Sequence, residues 1–289
     1  MQKTLTASSS RAGTRQLDSL QPRARRLVWI LFVLALANGA FLYLVPQLAE
    51  THYAWAIKPP INAAFMGAGY AAGMVATGLA LFRAKQWRSV RLLFPGFFVL
   101  GLSLFLATLL HADRFKWSYP LTWIWTLVYF GIPVGSVMVW LWHERGTEVR
   151  PPFDSRLSTI KTLSFVLGVV VTATATLLYT VPQFFLELWP WQVLPLLARV
   201  FAGWYFLGSI ILLTAGVTLR KAHELPIAFA TLVAWNILSL LLVILYPDSV
   251  RFTTIGFWVW TLLHVVFLFF TAWVTIKAVQ IMRLEQQSL

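Results

Sequence analysis

Eight apolar stretches alternate with short polar connections along the chain, at 27–47, 61–83, 91–110, 121–142, 159–181, 196–219, 224–245 and 255–278. About 20 consecutive apolar residues cross the hydrocarbon core of a bilayer as one helix. The pattern therefore predicts an all-α integral membrane protein with eight transmembrane helices. The first stretch has a basic flank and an Ala35-Leu36-Ala37 sequence, as a cleavable signal peptide would. Its apolar run continues through "NGAFLYLVPQ", and "LYLVPQ" at 42–47 returns as "LYTVPQ" at 178–183. The first stretch is thus expected to be retained as a span.

That return belongs to a longer repeat. At an offset of 136, Val45-Pro46-Gln47 pairs with Val181-Pro182-Gln183, Trp55 with Trp191, Pro59 with Pro195, Phe65 with Phe201 and Gly67 with Gly203. At an offset of 135, "HAD" at 111–113 pairs with "YPD" at 246–248, and "WIWTL" at 123–127 with "WVWTL" at 258–262. The order of Trp, Pro and Asp is kept, which apolar composition alone does not do. The expected organisation is a basic tail (1–26), a four-helix repeat (27–148) and a second four-helix repeat (149–289). Four crossings return the chain to its starting side. The halves should then be parallel repeats about an axis along the membrane normal.

Composition and charge agree with this class. Of 289 residues, 59% are hydrophobic and 11% charged, and there is no cysteine, which excludes disulfides and thiolate chemistry. The net charge is +13. Eighteen of the 23 Lys and Arg fall on the side of the termini, in the tail, the 2–3, 4–5 and 6–7 connections and the C-terminal end. Lys58, Arg114, Lys116 and Arg251 lie opposite, and Arg199 lies inside a helix. The positive-inside rule places both termini in the cytoplasm. No compact basic domain exists, so nucleic acid is not an expected partner.

The Trp- and Pro-rich corners precede the second and sixth helices. Pro60 and Pro195 suit the first helical position. Trp55, Trp189 and Trp191 are then expected at headgroup level, either as an aromatic belt or as the wall of a pocket between the repeats. In Trp123-x-Trp125 and Trp258-x-Trp260, two residues apart on a helix, at most one of each pair can face lipid. "GAGYAAGMVATG" at 67–78 and "AGWYFLGS" at 202–209 carry small residues that allow close helix approach, so the second and sixth helices should be central. Pro133 is expected to kink the fourth helix, a feature its counterpart Leu268 does not share.

Few polar side chains are available for chemistry. Arg199 sits one turn into the sixth helix, where a charge needs a partner or water, and its counterpart is Ala63. Asp113 and Asp248 are the expected partners, in a structural ion pair. The other reading is an outward-facing anion subsite at the helix N-terminus. His111 near Asp113 is compatible with proton handling or with a plain polar loop. His264 is the only mid-span histidine, because His52, His143 and His223 fall at the boundaries. Haem ligation is therefore not expected, and neither is any other cofactor or metal. No Asp, Glu or Lys lies mid-span, which argues against an ion-coupled pump and a retinal Schiff base. Asn236 is expected to join helices. No catalytic motif is present.

The segment "WPWQVLPLLARVFAGW" at 189–204 resembles a motif of uncharacterised bacterial polytopic membrane proteins, which carry Trp-Pro-Trp, then Pro, then Ala-Arg. The first repeat departs from it, with Ala54 at the Pro position and Ala63 at the Arg position. The resemblance implies a bacterial inner-membrane setting and no particular activity. Three functions remain open. One is binding or transport of a small amphipathic or anionic ligand, through an outward-facing site at the repeat interface built from Arg199, Asp113, Asp248, His111, Trp55 and Trp191. The second is a non-catalytic structural or assembly component docking another membrane protein. The third is an enzyme acting on lipid. A cavity reaching Arg199 would favour the first, and Arg199 sealed by Asp113 or Asp248 the second.

Overall fold

The computed structural model describes residues 21–84, 86–145 and 151–288. Most of the basic tail, with Lys3, Arg11 and Arg15, lies outside the described residues, as do Lys85 and Arg150. Among the described residues, eight helices are long and apolar enough to cross a membrane: α1 (Pro22–Leu44), α2 (Pro60–Phe82), α3 (Leu93–Leu110), α4 (Pro120–Glu144), α5 (Ser158–Thr180), α6 (Pro195–Thr218), α7 (Pro226–Leu245) and α8 (Ile255–Gln287). No strand occurs among the described residues. The chain is an all-α, multi-pass membrane protein. Proline opens α1, α2, α4, α6 and α7 at a position where its missing N–H costs no bond. Pro46 and Pro182 stop α1 and α5, because the residue before a proline is pushed out of the helical region. Helix α8 runs past its apolar stretch through "QIMRLEQQ", whose residues are good helix formers.

Burial sorts the helices into three tiers. The apolar windows of α2 and α6 are 61% and 72% buried, those of α3 and α7 56% and 50%, and those of α1, α4, α5 and α8 at most 28%. Helices α2 and α6 are therefore central, as their small residues lead one to expect. A Cβ at Gly67 would come within 2.5 Å of the Tyr43 backbone, and one at Gly203 would meet Leu104. Pro133 lies within the continuous α4 and packs on Gly101 of α3, where a Cβ would sit 2.7 Å from its ring.

Neighbouring long helices are α1–α2, α3–α4, α5–α6 and α7–α8 within the halves, and α3–α6 and α7–α2 across them. Exchanging the halves leaves this set unchanged. Individual bonds follow the same offsets. Tyr43 donates to the Leu238 carbonyl at 3.0 Å, and Tyr179 to that of Ser103 at 2.8 Å. The Lys116 amide donates to Ala54 and the Arg251 amide to Pro190, at 2.9 and 2.7 Å.

Two polar locks break the pattern, and both cross between halves. At the Trp-Pro corners, Asn62 is fully buried at the start of α2. Its Nδ2 donates to the carbonyls of Lys58 and Gln192 at 2.8 and 2.9 Å, and its Oδ1 accepts from Trp191 at 2.8 Å. The counterpart of Asn62 is Ala198, and the counterpart indole, that of Trp55, has a buried N–H without a partner. At the basic end, Arg91 meets the fully buried Glu224 at 2.7 Å and also donates to the Thr218 carbonyl and hydroxyl. The other Glu224 oxygen accepts from the Arg220 and Lys221 amides.

Asn62→Ala would strand the Trp191 indole and two carbonyls, at about 1–3 kcal/mol per buried group left unpaired. We expect a loss of about 2–5 kcal/mol of unfolding free energy in detergent. Thr180→Ala, which removes an exposed hydroxyl bonded only within α5, should change stability little in the same assay.

Candidate functional site

The sequence-derived candidates separate in space. His111 caps the C-terminal end of α3, and Arg199 sits in the second turn of α6. Because α3 packs on α6, the two meet across the halves, with Arg199 Nη1 2.8 Å from His111 Nε2. A guanidinium only donates, so Nε2 accepts and the imidazole is neutral, with its proton on Nδ1. Burial holds the His111 pKa below its ordinary value, and the Arg199 charge adds to the depression. The Arg199 Nε is buried without a partner.

Neither expected carboxylate reaches Arg199 among the described residues. The short turn Ala112–Arg114 swings Asp113 outward, where its side chain is 72% exposed and pairs with Arg114 at 3.1 Å. Asp248 is exposed on the equivalent turn, Pro247–Ser249. The corner tryptophans are not a lipid-facing belt. Trp55, Trp189 and Trp191 are 2%, 7% and 0% exposed and belong to the core. Trp55 packs among Tyr53, Phe115 and Trp125, with ring centroids 4.7–5.1 Å apart. The exposed rings near these corners are Trp117, Trp123 and Trp258, while Trp125 and Trp260 point inward. This is the alternation that Trp-x-Trp on a helix requires.

The larger described cavity lies inside the second half, and the smaller lies in the first half with Trp204 and Leu207 of α6 on its wall. The second half encloses 390 Å³ and the first 80 Å³. Their linings correspond by the repeat offsets: Trp260 stands for Trp125, His264 for Tyr129, Trp235 for Leu100, Phe267 for Ile132 and Trp189 for Tyr53. The larger space lies between α5, α6, α7 and α8. Its rim residues Val170 of α5 and Val259 and Leu263 of α8 are about half exposed, at 54%, 49% and 48%. Helices α5 and α8 are not among the packed neighbours. The cleft thus opens sideways between them, towards the lipid-facing surface. At one end Gly256 lets α8 approach the Leu188 carbonyl, where a Cβ would collide.

The buried part of the wall, on α6 and α8, is aromatic and carries a closed ring of hydrogen bonds. Trp260 Nε1 donates to Tyr205 Oη at 3.1 Å, and Tyr205 Oη lies 3.4 Å from His264 Nε2. His264 Nδ1 lies 2.9 Å from the Trp260 carbonyl. A carbonyl only accepts, so Nδ1 carries the proton and Tyr205 donates to Nε2. Asn236, expected to join helices, instead donates along α7 to Leu232 at 2.7 Å and lines the cleft. Trp189 and Trp235 also line it, and both indole N–H groups are buried without partners. In the first half Tyr70 and Tyr129 share a hydroxyl–hydroxyl bond, and Tyr53 donates to Asn38 at 3.3 Å. Among the described residues no group of three His, Cys, Asp or Glu could hold a metal ion.

The sequence reading missed the clefts and both cross-half locks. Glu224 carried a usable signal, since a carboxylate at the edge of an apolar run needs a cation. Nothing in the sequence named Arg91 as that cation.

The His111 contact predicts a pH dependence. Its folded pKa is depressed, so its contribution to stability is full above the ordinary histidine value and is lost as the pH falls through the folded value. Between pH 7 and pH 5 the melting temperature of the unaltered protein should fall more than that of His111→Gln, which accepts from Arg199 without titrating. Equal slopes would contradict the assignment. No known protein family, curated protein or solved structure matches this chain.

Proposed function

We propose that the chain is a bacterial inner-membrane protein, with both termini cytoplasmic, that takes a small, mainly apolar, amphipathic ligand from the bilayer into the cleft of its second half. The observation that carries this reading is the cleft itself, 390 Å³ of largely apolar space with a lipid-side opening and polar groups on its inner wall. Ligand sites typically occupy about 300–1,000 Å³ with a few placed polar groups. The Tyr205–His264 pair and Asn236 supply those groups, and aromatic rings supply the rest. The basic excess at the end holding the termini supports the orientation. The half-exchange correspondence of helix neighbours, bonds and cavities supports a parallel duplication of four helices.

The site is thereby moved from the repeat interface to the interior of one half. Arg199 and His111 do lie at the interface, but they line neither described cavity. A purely structural or assembly role is favoured by a different observation, the locking of that interface by Asn62 and by the Arg91–Glu224 pair. Under that role the cleft holds only exchangeable lipid or detergent.

Native mass spectrometry of protein extracted gently from its own membranes separates the two. We expect one retained lipophilic species per chain. Leu263→Trp, placed on the rim away from the packed core, should cut its occupancy by about tenfold, as loss of about 1.4 kcal/mol of binding does, with the melting temperature unchanged. No retained species, or occupancy indifferent to Leu263→Trp, would favour the structural role.

A further inference from the structure

The two clefts share their plan but differ almost fivefold in volume. The central helices differ beside the clefts at one dipeptide. Helix α6 carries Trp204-Tyr205 where α2 carries Ala68-Gly69. Trp204 reaches from the second half into the cleft of the first, while Tyr205 lines the cleft of its own half. The counterpart of Trp204, Ala68, is too short to fill the second cleft and does not line it. Leu207 follows Trp204 into the first cleft, and its counterpart Ala71 is likewise absent from the second.

Trp204 is seated by Gly69. A Cβ on Gly69 would lie 2.6–2.8 Å from three atoms of the indole. The ring packs edge-on against Tyr70 at 5.2 Å, and its N–H is buried without a partner. A buried, unpaired N–H opposes folding. Trp204 therefore fills this space with its ring and gains no hydrogen bond there. The first cleft otherwise keeps what the second has. Its Tyr70–Tyr129 pair stands near the place of Tyr205–His264, and half-exposed Ile124 with partly exposed Leu34 lines it where α1 and α4 are not close neighbours.

We infer that the first cleft is a second copy of the ligand site held shut by the Trp204 ring, so that the chain takes one ligand and Trp204 decides that number. The inference rests on the proposed ligand binding in the second half. The shut site would accept the same class of molecule, a neutral amphiphile with an apolar body and one hydrogen-bonding group. Removing the indole would join its space to the first cleft.

The test uses the full chain in lipid nanodiscs and a C15 isoprenoid alcohol bearing a diazirine, with photolabelled peptides mapped by mass spectrometry. In the unaltered chain, labelling should fall on α8 around Leu263–Phe267 and not on α4 around Val128–Ile132, with one probe per chain at saturation. In Trp204→Ala, α4 should be labelled as well and the stoichiometry should reach two. Trp204→Leu keeps more of the packing and should give the same α4 labelling at lower occupancy. If either folded variant labels α8 alone, the inference fails and the proposed binding stands. If α4 is labelled as strongly as α8 in the unaltered chain, the indole is not a plug and the inference also fails. If α8 is unlabelled in the unaltered chain, the proposed binding itself fails.

Discussion

Helix α3 of the first half lies on α6 of the second, and α7 of the second lies on α2 of the first. This reciprocal crossing constrains the rest of the bundle. Inside a bilayer, helices gain little from hiding apolar surface from water, because lipid is as apolar as they are. Association rests on close packing and on satisfied polar groups. The crossing supplies both. At the crossing, Gly96 of α3 approaches the Leu207 carbonyl of α6, and Gly203 of α6 admits Leu104 of α3. The tyrosine bonds to Leu238 and Ser103 then tie the ends of α1 and α5 to the opposite half.

The clefts follow from the same constraint. Helices α2 and α6 spend their faces on partners from both halves, and the first and fourth helices of each half are not close neighbours along their length. The gap is therefore a product of the topology, repeated in each half. What the gap becomes depends on single side chains. In the second half it remains an open, aromatic-walled space. In the first half it is a smaller space, lined by Trp204 and by Tyr53, Tyr70 and Tyr129. The asymmetric residues have the same character elsewhere. Asn62 pairs with an indole where Ala198 leaves the equivalent one unpaired, and Arg199 meets His111 where Ala63 has no charge.

Much of this was legible in the sequence, for physical reasons. The length of an apolar run and the position of prolines fix where a helix crosses a bilayer, so the spans agree with the structure to within a few residues at nearly every end. Small residues marked α2 and α6 as central. Burial of the corner tryptophans was not legible, because an aromatic ring suits a headgroup layer and a packed interior equally well. The partner of Arg199 was not legible either, since Asp113 and His111 are two residues apart and a single turn decides which one points at the seam. The unequal clefts were written in the repeat alignment, as Ala68-Gly69 against Trp204-Tyr205. Reading them required knowing that α6 turns one ring into each half.

The reciprocal crossing can be tested directly, because the chain has no cysteine of its own. Cysteine pairs placed at Tyr43 with Leu238, at Ser103 with Tyr179, and at Tyr43 with Ser103 can be treated in membranes with a short bifunctional thiol reagent. The first two pairs join the halves and should cross-link within one chain, whereas the third lies within the first half and should not. Cross-linking of Tyr43Cys with Ser103Cys, together with failure of the two pairs that span the halves, would contradict the account.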